Sequence, residues 1–190
     1  MKRNFEIHKI TFTSIMAALA IVFGLINKFI PGLNIQMPQG GSIFGFSMIP
    51  LVFIGLILGF KYGVIGGVLY GGVSLILDGG FYHWASIFTD YLIAFGVLGI
   101  VGLFRKGIYS WKVLILAIVT AGFLRYLSHS IGGAIIFAEF APEGMSPWFY
   151  SFIIYNAPYM LSSITFTVII SILLLPLMRQ LATDYQLIQS

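Results

Sequence analysis

The sequence predicts an all-α integral membrane protein, built as a bundle of six transmembrane helices. Of its 190 residues, 59% are hydrophobic and only 8% are charged, whereas roughly 25% of residues are charged in a soluble domain. The apolar residues also come in long runs that are separated by short polar stretches. The whole chain, residues 1–190, is therefore expected to form a single membrane-embedded domain.

Each predicted helix corresponds to one apolar run of about the 20 residues that cross a bilayer, and tilting accommodates the longer runs. The first run continues for a full span beyond the basic N-terminus, which makes it too long for a signal peptide. The second and third runs are separated at residues 59–63, Gly-Phe-Lys-Tyr-Gly, where one lysine and two glycines interrupt the apolar sequence. The runs lie at residues 10–30, 43–60, 62–78, 84–104, 113–138 and 149–177.

The basic residues predict the orientation of the bundle, because short cytoplasmic loops are enriched in lysine and arginine. With the N-terminus inside, Lys28 is the only basic residue that faces out, and both termini are cytoplasmic. Arg125 belongs to neither side because it lies within the fifth helix. The residues placed on the cytoplasmic side are Lys2, Arg3, Lys9, Lys61, Arg105, Lys106, Lys112 and Arg179.

Several function classes find no support in the sequence. It has no cysteine and three scattered histidines, which favours neither a thiolate nucleophile nor a metal site. No phosphate-binding loop is present, so any ATP-driven activity requires a partner, and no catalytic motif suggests an enzyme or a cofactor. The net charge of +4 comes from helix ends rather than from a basic stripe, so nucleic acid is not an expected partner.

Polar residues inside the predicted spans indicate a site, because ionisable groups in a membrane are costly. Asp90 lies in the fourth helix, and Arg125 and His129 lie four residues apart on one face of the fifth. With Asn156 of the last helix, Asp90 and His129 are expected at a similar depth near the outer surface. The alternative is a structural ion pair between Asp90 and Arg125.

Aromatic residues cluster near the outer ends of the same three helices. Some are expected to belong to the interfacial belt, particularly those at helix ends. A subset that faces inward would form an aromatic box for a flat cationic ligand, through stacking and cation–π contact, while Asp90 accepts hydrogen bonds from an exocyclic amine. The cluster consists of Trp84, Tyr91, Phe137, Trp148, Phe149, Tyr150, Tyr155 and Tyr159.

Small residues in the first helix form a second feature, with Ser14 and Ala18 four residues apart and Ala17 beside them. Such spacing lets helices approach closely in lipid. The stripe is expected either to pack inside the bundle or to contact a partner helix.

Five segments of the chain resemble the thiamine-specific substrate-binding (S) components of energy-coupling factor transporters. The resemblance runs in order over nearly the whole chain, through residues 37–42 (MPQGGS), 89–95 (TDYLIAF), 124–129 (LRYLSH), 140–144 (FAPEG) and 155–160 (YNAPYM). It implies a six-helix membrane protein with an outward-facing vitamin pocket. It also implies partners, namely a transmembrane coupling protein and two cytoplasmic ATPases.

The resemblance also implies roles for individual residues. Asp90 would bind the aminopyrimidine ring of thiamine, with Tyr91 beside it, His129 would line the pocket, and Phe137 would stack on the ligand. Tyr150 and Asn156 would contribute from the last helix, although they stand six residues apart where relatives have five. Supporting contacts are expected from Trp84, Arg125, Tyr155 and Gln39.

Two further implications concern the first outer loop and the first helix. The loop has no tryptophan, which some relatives carry there, so Gln36, Gln39 or the backbone is expected to make its contacts. The stripe of Ser14 and Ala18 resembles the surface with which S components meet the coupling protein.

The resemblance therefore implies thiamine capture from outside a bacterial cell and uptake powered by the partner ATPases. Three alternatives stay open. The ligand could be a related compound such as a hydroxymethylpyrimidine or a pyridoxine-like molecule. The chain could be a self-contained small permease or channel, or an intramembrane enzyme that uses Asp90 and His129 as an acid–base pair.

Overall fold

The computed structural model describes residues 2–30, 32–33, 35, 37–38 and 41–188, with the backbone alone for residues 2–5. The fold is all-helical, as predicted. Its helices are α1 (Lys2–Phe29), α2 (Met48–Leu58), α3 (Phe60–Leu77), α4 (Ile87–Ile108), α5 (Trp111–Ile136) and α6 (Pro147–Asp184). Gln36 and Gln39, which were expected to supply contacts from the first outer loop, lie outside the described residues.

Within the described chain, five helices are long and apolar enough to cross a membrane, namely α1 from Glu6 onwards, α3, α4, α5 and α6. The second helix is shorter than the predicted 43–60, with 11 residues, or about 16 Å at 1.5 Å per residue. Every residue of α2 is buried, so this helix forms the centre of the bundle.

Side chains from other helices explain why the second helix starts late. Residues 43–44 are bends and residues 46–47 form a turn, and the carbonyl oxygens of Ile43 and Phe44 accept from side chains of other helices. The Ser162 hydroxyl donates to the carbonyl of Ile43, and the Asn27 amide donates to that of Phe44. Non-helical backbone within a membrane requires such partners, and hydropathy does not reveal them.

The break between α2 and α3 falls at Gly59, inside the segment that the sequence indicated. Gly59 has a φ of 91°, a left-handed conformation that glycine adopts without a steric cost. Its N–H donates to the carbonyl of Gly55 at 2.8 Å, which closes α2 before α3 begins.

The outer helices begin or end beyond their predicted apolar runs. The first helix starts at Lys2 rather than at residue 10, and the last ends at Asp184 rather than at 177. In the first turns of α1, Lys9 and Glu6 form an ion pair at 2.8 Å. Hydropathy locates the part of a helix that lies in lipid, and these helices continue as polar turns beyond it.

Two helices contain π-helical turns near the end of the bundle where the predicted site residues lie. In α4 the turn covers Ile87–Leu92, and in α6 it covers Tyr150–Asn156. Such turns are rare and occur frequently at functional sites. Here they contain four of the residues that were expected to bind substrate, namely Asp90, Tyr91, Tyr150 and Asn156.

Candidate ligand-binding site

A cavity of about 650 Å³ opens at one end of the bundle. It lies where α1, α3 and α5 end and where α4 and α6 begin, and residues before α2 form part of its wall. The six residues that were expected to bind substrate all line it, together with Arg125 and Tyr155 from the supporting set. These six are Asp90, Tyr91, His129, Phe137, Tyr150 and Asn156.

The structure does not bring Trp84 into this cavity. Its side chain precedes α4, is 64% exposed and lies beside the ring of His83 at a centroid distance of 5.5 Å. Trp148 is also half-exposed at the start of α6. Both positions suit the interfacial belt, where the ring of tryptophan faces lipid headgroups.

Three polar side chains form a continuous hydrogen-bonded row along the inner part of the cavity. His129 Nδ1 lies 3.1 Å from Asp90 Oδ1, and Arg125 Nε donates to His129 Nε2 at 3.3 Å. Arg125 and His129 meet because residues four apart share one face of α5. The direct ion pair between Asp90 and Arg125 is not formed, since His129 stands between the two charges.

Arg125 is buried beside an aromatic ring rather than beside a carboxylate. Its Cζ lies 4.2 Å from the ring centroid of Phe95, in the range of a cation–π contact. No acidic residue in the described chain pairs with it. Its two terminal nitrogens meet no hydrogen-bond acceptor among the described residues, which leaves donors available at the cavity wall.

On the α6 side, a second set of polar groups is fixed by neighbouring side chains. The Asn156 amide donates to the carbonyl and the hydroxyl of Ser151, at 2.9 and 3.1 Å, and the Ser151 hydroxyl donates to the carbonyl of Ser130 at 2.7 Å. Because both amide hydrogens are used in this way, Asn156 has only its carbonyl oxygen left to offer a ligand.

A third polar group lies at the mouth of the cavity, and the sequence reasoning missed its role. Asp78 accepts from Lys28 Nζ at 3.2 Å and from the Tyr91 hydroxyl at 3.1 Å. The signals were present, since Lys28 was the single outward-facing basic residue and Asp78 a helix-end acid. No pattern in the sequence predicted that α1 and α3 would bring them together.

Aromatic rings cover two walls of the cavity. Tyr82 lies 5.2 Å from Phe137 and 5.3 Å from Phe140 between ring centroids. On the α6 side, Tyr155 lies 6.1 Å from Tyr150 and 6.2 Å from Tyr159. The sequence reasoning did not include Tyr82, Phe140, Phe95 or Tyr70 in the site, although all four line the cavity.

The charges that line the cavity balance, with two acids, Asp78 and Asp90, and two bases, Lys28 and Arg125. A cationic ligand would therefore be held through aromatic faces and directed hydrogen bonds rather than by a net negative field. Among the described residues, no group of three or more metal-ligating side chains occurs. The arrangement suits a flat, partly polar ring system.

The small stripe on α1 divides between two faces. Ser14 and Ala18 are exposed, whereas Ala17 is buried against the rest of the bundle. The two expectations for the stripe, packing inside the bundle and contact with a partner helix, thus concern different residues. Ala17 packs inside the bundle, and Ser14 and Ala18 are accessible to another helix.

Comparisons with known proteins agree on one family. A family described as thiamine transporter protein (Thia_YuaJ) matches residues 10–183. The chain is 33% identical to the thiamine transporter ThiT of Bacillus subtilis, over 97% of this chain and 99% of the relative. It is 26% identical to the ThiT of Lacticaseibacillus paracasei, over 92% and 90% of the two chains.

A solved structure of ThiT from Listeria monocytogenes shares the fold. Its TM-score is 0.77, with 22% identity over 93% of this chain and 98% of that chain. At this identity the likeness supports the arrangement of the helices.

Proposed function

This chain belongs to the thiamine transporter family, and from that premise we propose that its cavity captures thiamine from outside the cell for an ATP-driven energy-coupling factor transporter. As a member of this family it is a thiamine uptake component of a bacterial cell membrane and not an enzyme. The proposal adds three statements: the cavity is the thiamine site, it opens to the outside of the cell, and uptake depends on partner subunits.

The row of Asp90, His129 and Arg125 carries the proposal. Asp90 Oδ1 is bonded to His129, and Oδ2 is left to accept from the exocyclic amine of the aminopyrimidine. The exocyclic amine of thiamine supplies the donor for this oxygen, so the aminopyrimidine ring would be recognised by the direction of a hydrogen bond as well as by its size.

The aromatic walls supply the second part of the recognition. Phe137 and Tyr82 on one side, and Tyr150 and Tyr155 on the other, offer ring faces to the thiazolium cation. The cavity volume of about 650 Å³ lies within the range typical of sites for small molecules. Desolvation of the flat rings would supply most of the affinity.

The outward orientation is supported by the distribution of basic residues. The cavity lies at the end of the bundle where α4 and α6 begin. Arg105, Lys112 and Arg179 belong to the opposite end. Since the end with most lysines and arginines faces the cytoplasm, both termini would be inside and the cavity would open outside.

Partner subunits are proposed because the chain carries no phosphate-binding loop. A transmembrane coupling protein and two ATPases would energise uptake. Ser14 and Ala18 are exposed on α1 and form a small-residue surface that a helix of the coupling protein could approach closely.

The experiment that tests the site is isothermal titration of the purified protein with thiamine. Asp90→Asn keeps the shape of the side chain and removes its charge, so the Kd should rise at least 100-fold, or about 2.7 kcal/mol. His129→Ala should also weaken binding. Glu143→Gln is the matched control, because Glu143 is exposed and does not line the cavity, and its Kd should stay within twofold of the parent.

The same titration separates the remaining ligands. A hydroxymethylpyrimidine or a pyridoxine-like compound lacks the thiazolium ring and should bind much more weakly than thiamine. Equal affinity for either compound would contradict thiamine as the preferred ligand. Uptake into liposomes that contain this chain alone would favour a self-contained permease over the proposed dependence on partners.

A further inference from the structure

We propose that Arg125 is a positioning residue, which fixes His129 as its neutral Nδ1–H tautomer and thereby holds Asp90 ready for the ligand. The inference deepens the proposed function, because it assigns the site a defined protonation pattern before thiamine binds.

The directions of the two hydrogen bonds determine the tautomer. Arg125 Nε carries a hydrogen and has no lone pair, so it can only donate to His129 Nε2 at 3.3 Å. Nε2 must therefore carry the lone pair, and the hydrogen of a neutral ring must sit on Nδ1. Nδ1 then donates to Asp90 Oδ1 at 3.1 Å.

The other two states of the ring do not fit this geometry. A ring with its hydrogen on Nε2 would oppose the donor of Arg125 and place the lone pair of Nδ1 against the carboxylate of Asp90. A doubly protonated ring would also oppose Arg125 and would put two positive charges in contact. The Nε2–H tautomer is therefore opposed by both Asp90 and Arg125, and the doubly protonated ring is opposed by Arg125 alone.

The surroundings of Arg125 keep its side chain in place. It is 9% exposed, and its guanidinium covers the ring of Phe95 at 4.2 Å. Arginine stays charged at all physiological pH values, so its donor is permanently present. With no acid in contact among the described residues, its charge is balanced by Asp90 at the far end of the row.

The row therefore runs in one direction, from the permanent donor Arg125 to the acceptor Asp90. Arg125 orients His129, and His129 binds one oxygen of Asp90. The second oxygen of Asp90 then faces the cavity with a fixed direction. Without Arg125, His129 could rotate or take up a second hydrogen on Nε2, and the carboxylate would lose its orientation.

The test combines ¹⁵N NMR of histidine-labelled protein with thiamine titration. The chain has three histidines, so the His129 signals can be assigned by their loss in His129→Asn. Ligand-free parent protein should show His129 only as the Nδ1–H tautomer. In Arg125→Met the doubly protonated form should appear, because only Arg125 opposes it, and the Kd for thiamine should rise at least tenfold.

Two further variants make the result specific. Arg125→Lys can still donate one hydrogen to Nε2, so it should keep the Nδ1–H tautomer and a Kd within about threefold of the parent. Arg179→Met is the matched control, since Arg179 also donates to a single acceptor, the carbonyl of Ile108 at 2.9 Å, and covers an aromatic ring, that of Tyr109. Arg179→Met should change neither the NMR signals of His129 nor the affinity for thiamine.

The proposal is overturned if a variant changes the hydrogens of the His129 ring without weakening thiamine binding. It is also overturned if Arg125→Met weakens binding without changing those hydrogens. If Arg125→Met does not fold, Arg125→Lys decides, because hydrogen on Nε2 in that variant contradicts the positioning role. Failure of the parent protein to bind thiamine would defeat the proposed function instead. The NMR measurement on ligand-free protein would still decide the role of Arg125.

Discussion

His129 lies between the carboxylate of Asp90 and the guanidinium of Arg125, with hydrogen bonds of 3.1 and 3.3 Å. Single residues of this kind determine how the cavity presents donors and acceptors. On α6, Ser151 has the same function for Asn156, because it binds both hydrogens of the Asn156 amide. Asp90 and Asn156 are thus each held in place by a neighbouring side chain.

Gly133 tests this dependence on a neighbouring residue. A Cβ at this position would lie 2.3 Å from Ser151 Oγ and 3.4 Å from Asn156 Nδ2, so Gly133→Ala must displace the Ser151 hydroxyl from its partners. The affinity for thiamine should fall roughly tenfold, or about 1.4 kcal/mol, as measured by titration.

The double variant Gly133→Ala/Ser151→Ala supplies the control for this prediction. It removes the clashing hydroxyl, so it should bind thiamine no more weakly than Gly133→Ala does. The losses of affinity caused by Gly133→Ala and by Ser151→Ala should therefore not add. A Kd for Gly133→Ala within twofold of the parent would contradict the role of this contact.

At the scale of the element, close backbone contact between α3 and α4 fixes the position of the π-helical turn. Cβ atoms added at Gly67 and Gly71 would lie 2.1 Å from the carbonyl oxygen of Phe95 and 2.6 Å from that of Tyr91. Both glycines thus permit a contact that no larger residue allows. The turn that carries Asp90 rests directly on α3.

Neighbouring glycines on α3 provide a matched pair for a second prediction. Gly71→Ala should push the Asp90 turn away, lower the stability by about 1–3 kcal/mol and weaken thiamine binding. Gly72→Ala meets nothing within 4 Å, so it should leave both properties unchanged or raise stability slightly through its better helix propensity. Thermal unfolding in detergent and titration measure the two effects. If Gly71→Ala and Gly72→Ala show the same stability and the same affinity for thiamine, the role of the contact between α3 and the Asp90 turn is contradicted.

The elements also show what the sequence could and could not predict. The all-α fold and the five apolar helices that are long enough to cross a membrane followed from apolar runs, and the break at Gly59 followed from two glycines and a lysine. The late start of α2 at Met48 did not, because it depends on side chains of α1 and α6 that bind the carbonyls before it. Long-range partners of this kind leave no local pattern.

The candidate site divides in the same way. Asp90, His129 and Asn156 were predicted from polar residues within apolar spans, and all three line the cavity. The intermediate position of His129 and the pairing of Lys28 with Asp78 depend on how separate helices pack. Trp84 was expected near the ligand, yet its position before α4 directs it outward.

At the scale of the whole molecule, the two ends of the bundle differ in structure and in charge. One end holds the cavity, and the other carries most of the basic residues. Ser14 and Ala18 are exposed on α1 and do not line the cavity, whose lining on this helix begins at Ile21. Ligand binding and contact with the proposed coupling protein should therefore be separable by mutation.

Ala18→Trp tests this separation. The large side chain should block close helix contact, so thiamine uptake by cells that also express the energising subunits should fall more than tenfold, while the Kd of the purified protein stays within twofold of the parent. Leu173→Trp is the control, because Leu173 is also exposed, on α6, and this variant should leave uptake unchanged. Normal uptake by Ala18→Trp would contradict the proposed partner surface.

The most direct test of the account uses the absence of native cysteine. A single cysteine at Ser74, which lines the cavity, can be labelled in intact cells with a membrane-impermeant maleimide, and one at Ser110, between α4 and α5, serves as the cytoplasmic reference. We expect labelling of Ser74→Cys from outside, protection of it by thiamine, and labelling of Ser110→Cys only after permeabilisation. Labelling of Ser110→Cys alone in intact cells, or a Ser74→Cys reaction that thiamine does not slow, would contradict an outward-facing thiamine site.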